Sequence, residues 1–346
     1  MRLLVLGGTA FVGQAVVTDA LARGVSVTTF NRGRTGEDVI GVRPVRGDRL
    51  RPDDIAALVA QGPWDAVIDT SGYVPRNVLA VARALEPVTG HCVFVSTVSA
   101  YAGWPNEALT EASSLLKCPP DAGPDYGVDV EDGPTRYGYQ KAGCEAAALE
   151  VFGKDRVTVL RPGVVLGPRE YVGRLPWWLL RIAAGGTVIA PGDPERRIQP
   201  VDVRDLATFA VTAAERPLTG AFNVAAPLEG STFGGLLAAC AAVTGSSAQT
   251  VWAPDDVLAA AGVRQWSELP LWRTAAGVWR VDPGQAQQTG LRCRDLADTV
   301  ADTWRWMSSH PSIAPATSER ASEVGLTIEH ERAVLRLLGR TVAPPL

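Results

Sequence analysis

"VLGGTAFVGQAVV", residues 5–17, joins the end of a short apolar run to a helical pattern across two adjacent glycines. Gly7 lets the chain turn tightly after a strand, and Gly13 lets the following helix pack close to it. The helix start then offers N–H groups and the positive end of its dipole to a pyrophosphate. Ala10 stands where this spacing more often has a second glycine, and a methyl group is small enough for the site to survive. A strand–helix turn of purely structural purpose would read the same in isolation, so the surroundings must decide. Gly7, Thr9, Ala10, Phe11, Val12 and Gly13 are therefore candidate contacts of a bound dinucleotide.

Outward from this turn, short β-branched runs alternate with helical patterns. "LLVL" (3–6), "VSVTTF" (25–30), "RPVRGD" (43–48), "DAVIDT" (65–70), "HCVFVST" (91–97) and "RVTVLRP" (156–162) read as strands. Helices are expected near 11–23, 52–61 and 76–87, and another carrying residues 136–145. This alternation predicts βαβ units in an α/β fold, a Rossmann-type doubly wound parallel sheet, with ligands bound beyond the carboxyl ends of its strands. The expected organisation is a dinucleotide-binding domain over 1–170, a smaller and mainly helical substrate lobe over 171–310, and a C-terminal tail with a helix over 311–346. "RIQPVDVRDLA" (197–207) and "GAFNVA" (220–225) are expected to return chain to the main sheet.

The second strand ends in "TTFNRGRT", and no acid occurs between Asp19 and Glu37. An Asp or Glu in that region would favour NAD through its ribose hydroxyl, whereas arginine accommodates a 2′-phosphate. Asn31, Arg32 and Arg34 thus favour NADP, with NAD as the alternative; as plain turn residues they would only be solvated. Asp48, after the third strand, is a candidate acceptor for the adenine amino group. Arg49 beside it and Ser71, one residue past the fourth strand, also fall at carboxyl ends and join the candidates.

"RYGYQKAGCE" (136–145) holds two tyrosines and one lysine. Tyr137 and Lys141 are four apart and share a helix face, while Tyr139 and Lys141 point apart. The fifth strand ends in "FVSTVSAY", placing Ser96, Thr97 and Ser99 near the same sheet edge. A hydroxyl with a Tyr-x-x-x-Lys resembles the short-chain dehydrogenase/reductase superfamily. "GGTAFVG", "FNRGRT", "RYGYQKAGCE" and "LRPGVVLGP" look more narrowly like its extended and atypical members, the NAD-dependent epimerase/dehydratase group. The likeness covers residues 1 to about 225. It implies Thr97, four before Tyr101, as the working hydroxyl, Tyr137 as acid/base and Lys141 as the cation that lowers the phenol's pKa and holds the nicotinamide ribose. It also implies that Pro162 and Gly163 shape the nicotinamide pocket. Two features depart from the pattern: Ala10, and a long Pro-, Gly- and acid-rich stretch over 102–135 that reads as a lid.

The activity so implied is NADPH-dependent reduction of a small carbonyl, or the reverse alcohol oxidation. The alternatives are an epimerase or dehydratase of a sugar nucleotide or related metabolite that recycles its cofactor internally, and a non-catalytic dinucleotide-binding sensor or scaffold. Trp177, Trp178 and Arg181 are candidates for a substrate cleft, although aromatics at such spacing more often form core. Asp202 and Asp205 read as helix-start acids, and Cys144, Glu145 and Arg161 as structural residues.

Bulk properties close off other classes. A formal net charge of −4 over 346 residues gives no support to nucleic-acid binding, which usually shows a basic face or stripe. Five scattered cysteines without C-x-x-C, and three distant histidines, argue for reduced thiols and against a metal centre. The apolar run after Arg2 is too short for a signal peptide, and no stretch approaches a membrane span. The expectation is a cytoplasmic protein acting on a small molecule. Helices near 76–87 and 134–150 pair subunits in many relatives of this kind, which allows a homodimer.

Overall fold

A computed structural model of the chain describes residues 1–310 and 324–339. Its framework is a seven-stranded sheet. Six strands are β1 (Arg2–Leu6), β2 (Ser26–Asn31), β3 (Arg43–Arg46), β4 (Trp64–Asp69), β5 (Thr89–Val95) and β6 (Val157–Pro162), and the last is Gly220–Val224. From one edge the order is β3, β2, β1, β4, β5, β6, then Gly220–Val224, and every neighbouring pair is parallel. The order reverses at β1, which places a ligand crevice outside the carboxyl ends of β1 and β4. This is the Rossmann-type α/β fold that the alternation predicts.

Both faces of the sheet are covered, so its strands are apolar almost throughout instead of alternating. On one face α1 (Phe11–Ala22) and the helix Val203–Glu215 pack over Leu3, Val5, Val27, Ile68 and Val93. On the other, α2 (Pro52–Val59), α3 (Pro75–Leu85) and α4 (Arg136–Phe152) cover Leu4, Leu6, Val67 and Val159. Each such side chain contributes about 1.5–3 kcal/mol by leaving water.

The chain divides into two compact units. The first comprises 1–165, 201–227 and 275–293 and holds the whole main sheet. "GAFNVA" joins that sheet beside β6 as expected. "RIQPVDVRDLA" does not: it forms two-residue strands outside the main sheet and then the helix Val203–Glu215. Its Asp202 carboxylate accepts from the Arg204 N–H at 2.7 Å, a helix-start acid as the sequence suggested. The reason is geometric: after Val201 a capping Asp and an apolar helical pattern leave no extended run long enough to pair.

The second unit comprises 166–200, 228–274 and the described residues from Arg294 onward. Three helices, Arg174–Ala183, Phe233–Thr244 and Leu296–Ser309, pack together beside a parallel strand pair, Thr187–Pro191 with Gln249–Ala253. Trp178 is fully buried there, its indole N–H donating to the Pro270 carbonyl at 2.8 Å and its ring edge-on to Phe233. Arg181 pairs with Glu331 of the helix Ile328–Leu337 at 2.9 Å. These two candidates for a substrate cleft are thus used for core packing and for docking the C-terminal helix. The tail's remaining residues, 311–323 and 340–346, lie outside the described residues.

The stretch over 102–135 is not a free lid. Its backbone closes on itself through Ala102 to Ser114 and is tied to the rest of the first unit through Leu116 to Ala100, Leu109 to Arg280, and Arg76 to Ala122. Gln140 of α4 donates to the Gly123 and Tyr126 carbonyls at 2.9 and 2.7 Å. Gly143 opens the room for this packing, since a Cβ there would stand 2.6 Å from both Cys118 Sγ and Pro75 Cγ.

Candidate functional site

The glycine turn lies at the carboxyl end of β1. Gly7 and Gly8 take φ of +111° and +99°, open to glycine and strained for other residues. A Cβ on Gly7 would lie 2.6 Å from Thr70 Oγ1, and one on Gly13 would lie 2.7 Å from the Gly8 nitrogen. The two glycines therefore do what their spacing predicts: one turns the chain and the other seats the helix on the turn. Ala10 is extended, with φ −129° and ψ 149°, and no side chain caps α1. No acid lies in its first turn. A helix start with a glycine cradle and neither a cap nor a carboxylate suits the pyrophosphate of a dinucleotide. Thr9 is buried, with Oγ1 at 2.7 Å from Thr35 Oγ1, while Phe11 and Val12 face the core.

At the end of β2, the Asn31 side chain bridges turn and strand. Its Nδ2 donates to the Gly7 carbonyl at 3.1 Å, and its Oδ1 accepts from Gly33 N and Arg46 Nη1 at 2.9 and 2.7 Å. Arg32 and Arg34 are exposed. The sequence shows no acid close behind β2, but the fold supplies one: Asp38 forms an ion pair with Arg46. Hydrogen bonding from Arg46 holds the Asp38 carboxyl below the usual carboxylate range. The preference for NADP drawn from the lack of an acid between Asp19 and Glu37 loses part of its support, because loop 32–42 folds back and brings Asp38 to Arg46 beside Asn31.

Asp48 and Arg49 follow β3. An Asp48 oxygen accepts from the Leu50 N–H at 3.0 Å. Arg49 donates to Asp69 Oδ2 at 2.7 Å and to Ser71 Oγ at 3.1 Å, and Asp69 Oδ1 accepts from Ser71 N at 2.8 Å. Burial works against the charged Asp69, but Arg49's charge and hydrogen bonds outweigh it and keep its pKa low. Arg49 and Ser71 are thereby held to a buried carboxylate at the end of β4. At β6, Pro162 pairs in register with Val224, and the Gly163 N–H is committed to the Val224 carbonyl at 3.0 Å.

Lys141 is 3% exposed, and its ammonium sits between the ends of β4 and β5. It donates to the Gly72 carbonyl at 2.9 Å and to the Val95 carbonyl at 2.6 Å. Burial pushes its pKa below that of a free lysine. The Tyr73 ring is 5.4 Å from this ammonium and 6.4 Å from the Tyr137 ring, so Tyr137 and Lys141 share one side of α4. Tyr139 instead faces Tyr126, ring to ring at 6.3 Å. Tyr137 is 39% exposed. Thr97 Oγ1 accepts from Ser99 N at 3.2 Å, which leaves the hydroxyl proton to donate elsewhere.

Ser96 is engaged differently. Its hydroxyl donates to Glu145, which also receives Arg161 Nη2 at 2.7 Å. Arg161 Nη1 donates to the Tyr101 hydroxyl at 2.9 Å, and that hydroxyl donates to Asn223 Oδ1 at 2.8 Å. This buried chain ties α4, β5, β6 and the last strand together, in keeping with structural roles for Glu145 and Arg161. Burial pushes the Cys144 thiol up to about 12, which makes it inert at neutral pH. The residues that sequence reasoning missed are Asp38, Arg46 and Asp69. Only the parallel register that sets Asn31 beside Arg46 could have pointed to the second.

A model of the NAD dependent epimerase/dehydratase family matches residues 3–225. The chain belongs to that family. Its sequence is 25% identical over 260 residues to the chloroplast stem-loop binding protein of 41 kDa b of Arabidopsis thaliana, covering 70% of this chain and 63% of that protein. It is 29% identical over 237 residues to the 2-alkyl-3-oxoalkanoate reductase of Stenotrophomonas maltophilia, covering 63% of this chain and 67% of the reductase. The match to the chloroplast protein thus spans less than two thirds of that relative's length. In fold it resembles the UDP-glucose 4-epimerase of Thermus thermophilus solved with NAD, at a TM-score of 0.64 and 21% identity over 89% of this chain and 99% of that one. Among the described residues no helix is long and apolar enough to cross a membrane.

Proposed function

We propose that this family member is an NAD(P)-dependent oxidoreductase that reduces a small carbonyl compound or oxidises the matching alcohol. The observation that carries this reading is the Lys141 ammonium, held by the Gly72 and Val95 carbonyls on the side of α4 that presents Tyr137. When bound, the dinucleotide supplies or takes up hydride. Tyr137 donates its phenolic proton to the carbonyl oxygen in reduction and removes the hydroxyl proton in oxidation. A cation on the phenol's side of the helix favours the phenolate over the phenol and so helps Tyr137 to give up its proton. The Thr97 hydroxyl, accepting from Ser99, turns its proton toward the substrate oxygen and orients it. Kinship to a protein named as an oxoalkanoate reductase supports a small keto substrate.

The carboxylate of Asp38 near the end of β2 favours a second reading, an epimerase or dehydratase that keeps NAD bound through the cycle. Incubation with candidate ketones and NADPH or NADH separates the two. Stoichiometric loss of reduced cofactor supports the reductase, and product formed at constant cofactor supports the alternative. No product with either cofactor, or turnover unchanged by Tyr137→Phe, would remove the catalytic reading.

A further inference from the structure

In the parallel register of β2 and β3, Asn31 stands beside Arg46, so Arg46 belongs to the same carboxyl edge as the Asn31–Arg34 turn. Its guanidinium donates to Asn31 Oδ1 at 2.7 Å and to both Asp38 oxygens, Nη1 reaching Oδ1 at 3.2 Å. The turn lies directly on it, since a Cβ on Gly33 would stand 2.9 Å from Arg46 Nε. The following segment returns across the glycine turn: a Cβ on Gly36 would be 2.6 Å from the Thr9 carbonyl. Asp38 is thus anchored beside both the glycine turn and the end of β2. Arg32 and Arg34 have no comparable side-chain ion pair among the described residues, so Arg46 is the one cation of the three fixed in place.

We infer that Asp38 sets the preference between NADH and NADPH by competing with the cofactor's 2′-phosphate for Arg46. This rests on the reading that the glycine turn takes a nicotinamide dinucleotide. A guanidinium fork serves one carboxylate or one phosphate at a time. Asp38 stays ionised through neutral pH, because Arg46 holds its carboxyl below the usual range. NADH leaves the pair intact and offers a ribose hydroxyl for a carboxylate to accept. NADPH brings a phosphate that must displace Asp38 before Arg46 can bind it, and otherwise meets carboxylate repulsion. The pair is accessible, with side chains 48% and 19% exposed, and Asp38 lies in a surface loop, so the exchange needs no change in the sheet.

The test is titration of the full chain with NADPH and with NADH, for the unmodified protein, Asp38→Asn, and the double variant Asp38→Asn/Arg46→Met. Removing the competing charge should tighten NADPH by about tenfold and leave NADH unchanged or weaker, and the double variant should lose that gain. If Asp38→Asn moves both cofactors equally, or leaves their ratio unchanged, the inference is overturned while the dinucleotide reading stands. If neither cofactor binds the unmodified protein, the dinucleotide reading fails and takes the inference with it.

Discussion

Gly138 lies against the carbonyl of Ser99 so closely that a Cβ on it would stand 2.2 Å from that oxygen. The glycine follows Tyr137 in α4, and the carbonyl belongs to the turn that Thr97 opens at the end of β5. Acid/base candidate and hydroxyl candidate are therefore brought together by the absence of a side chain between them. Gly138→Ala must push the start of α4 away from the β5 turn, at a cost of about 1–3 kcal/mol in overpacking. Displacing a reacting group by about 1 Å can cost on the order of a hundredfold in rate. Turnover should fall about that far while dinucleotide affinity holds within about threefold, because the glycine turn lies on other strands. Unchanged turnover would show that this contact does not position the pair.

The two tyrosines of α4 predict opposite outcomes. Tyr137→Phe should lower turnover by about 10²–10⁴ with cofactor binding intact, the usual range for losing a general acid. Tyr139→Phe keeps the ring that packs on Tyr126 and should leave turnover near that of the unmodified protein. Steady-state rates for both variants decide the matter, and equal losses would contradict the assignment of the phenol at 137.

Much of this arrangement is legible in the sequence, for identifiable reasons. The glycine turn, the succession of strands and helices to β6 and the shared face of Tyr137 and Lys141 are local: spacing, period and turn chemistry encode them within a few residues. Asp38 was invisible because it reaches β2 only through a loop that doubles back over Thr9, and loop paths carry no period. Asp69 looked like one more residue in an apolar strand, although a buried charge in a parallel sheet implies a partner. That partner, Arg49, lies twenty residues earlier. The fate of 102–135 was hidden for a similar reason. Its composition reads as a loop, yet Gly143 and Gln140 on α4 give it a bed whose complementarity only the assembled helix shows.

Asp69 also sets an expectation for acid stability. Its pKa in the folded state lies below the ordinary value of about 3.9, so the unfolded chain binds the proton more readily. Its contribution is then complete above about pH 4 and declines as pH falls through the lower, folded-state value. Asp69→Asn leaves the Arg49 guanidinium buried without its counter-charge and should cost about 3–5 kcal/mol near pH 7. Urea unfolding of both proteins at several pH values should show that difference shrinking toward pH 3. A gap that widens in acid would mean that Asp69 is not stabilised as an anion.

Glu145 and Arg161 present the same physics at a pair nine-tenths or more buried, with side chains 1% and 6% exposed. Glu145 accepts from Ser96 as well as from Arg161, and Arg161 reaches on to Tyr101, so the carboxylate joins α4 to β5 and β6. Glu145→Gln keeps the shape but removes the charge that offsets the guanidinium, and should cost about 3–5 kcal/mol. The loss should appear in chemical unfolding, and NADPH affinity at saturating structure should be little altered, since neither residue lies on the glycine turn. A variant as stable as the unmodified protein would mean that water reaches Arg161 and screens it, and that α4 is held against the sheet by its apolar contacts and the Lys141 hydrogen bonds without this pair.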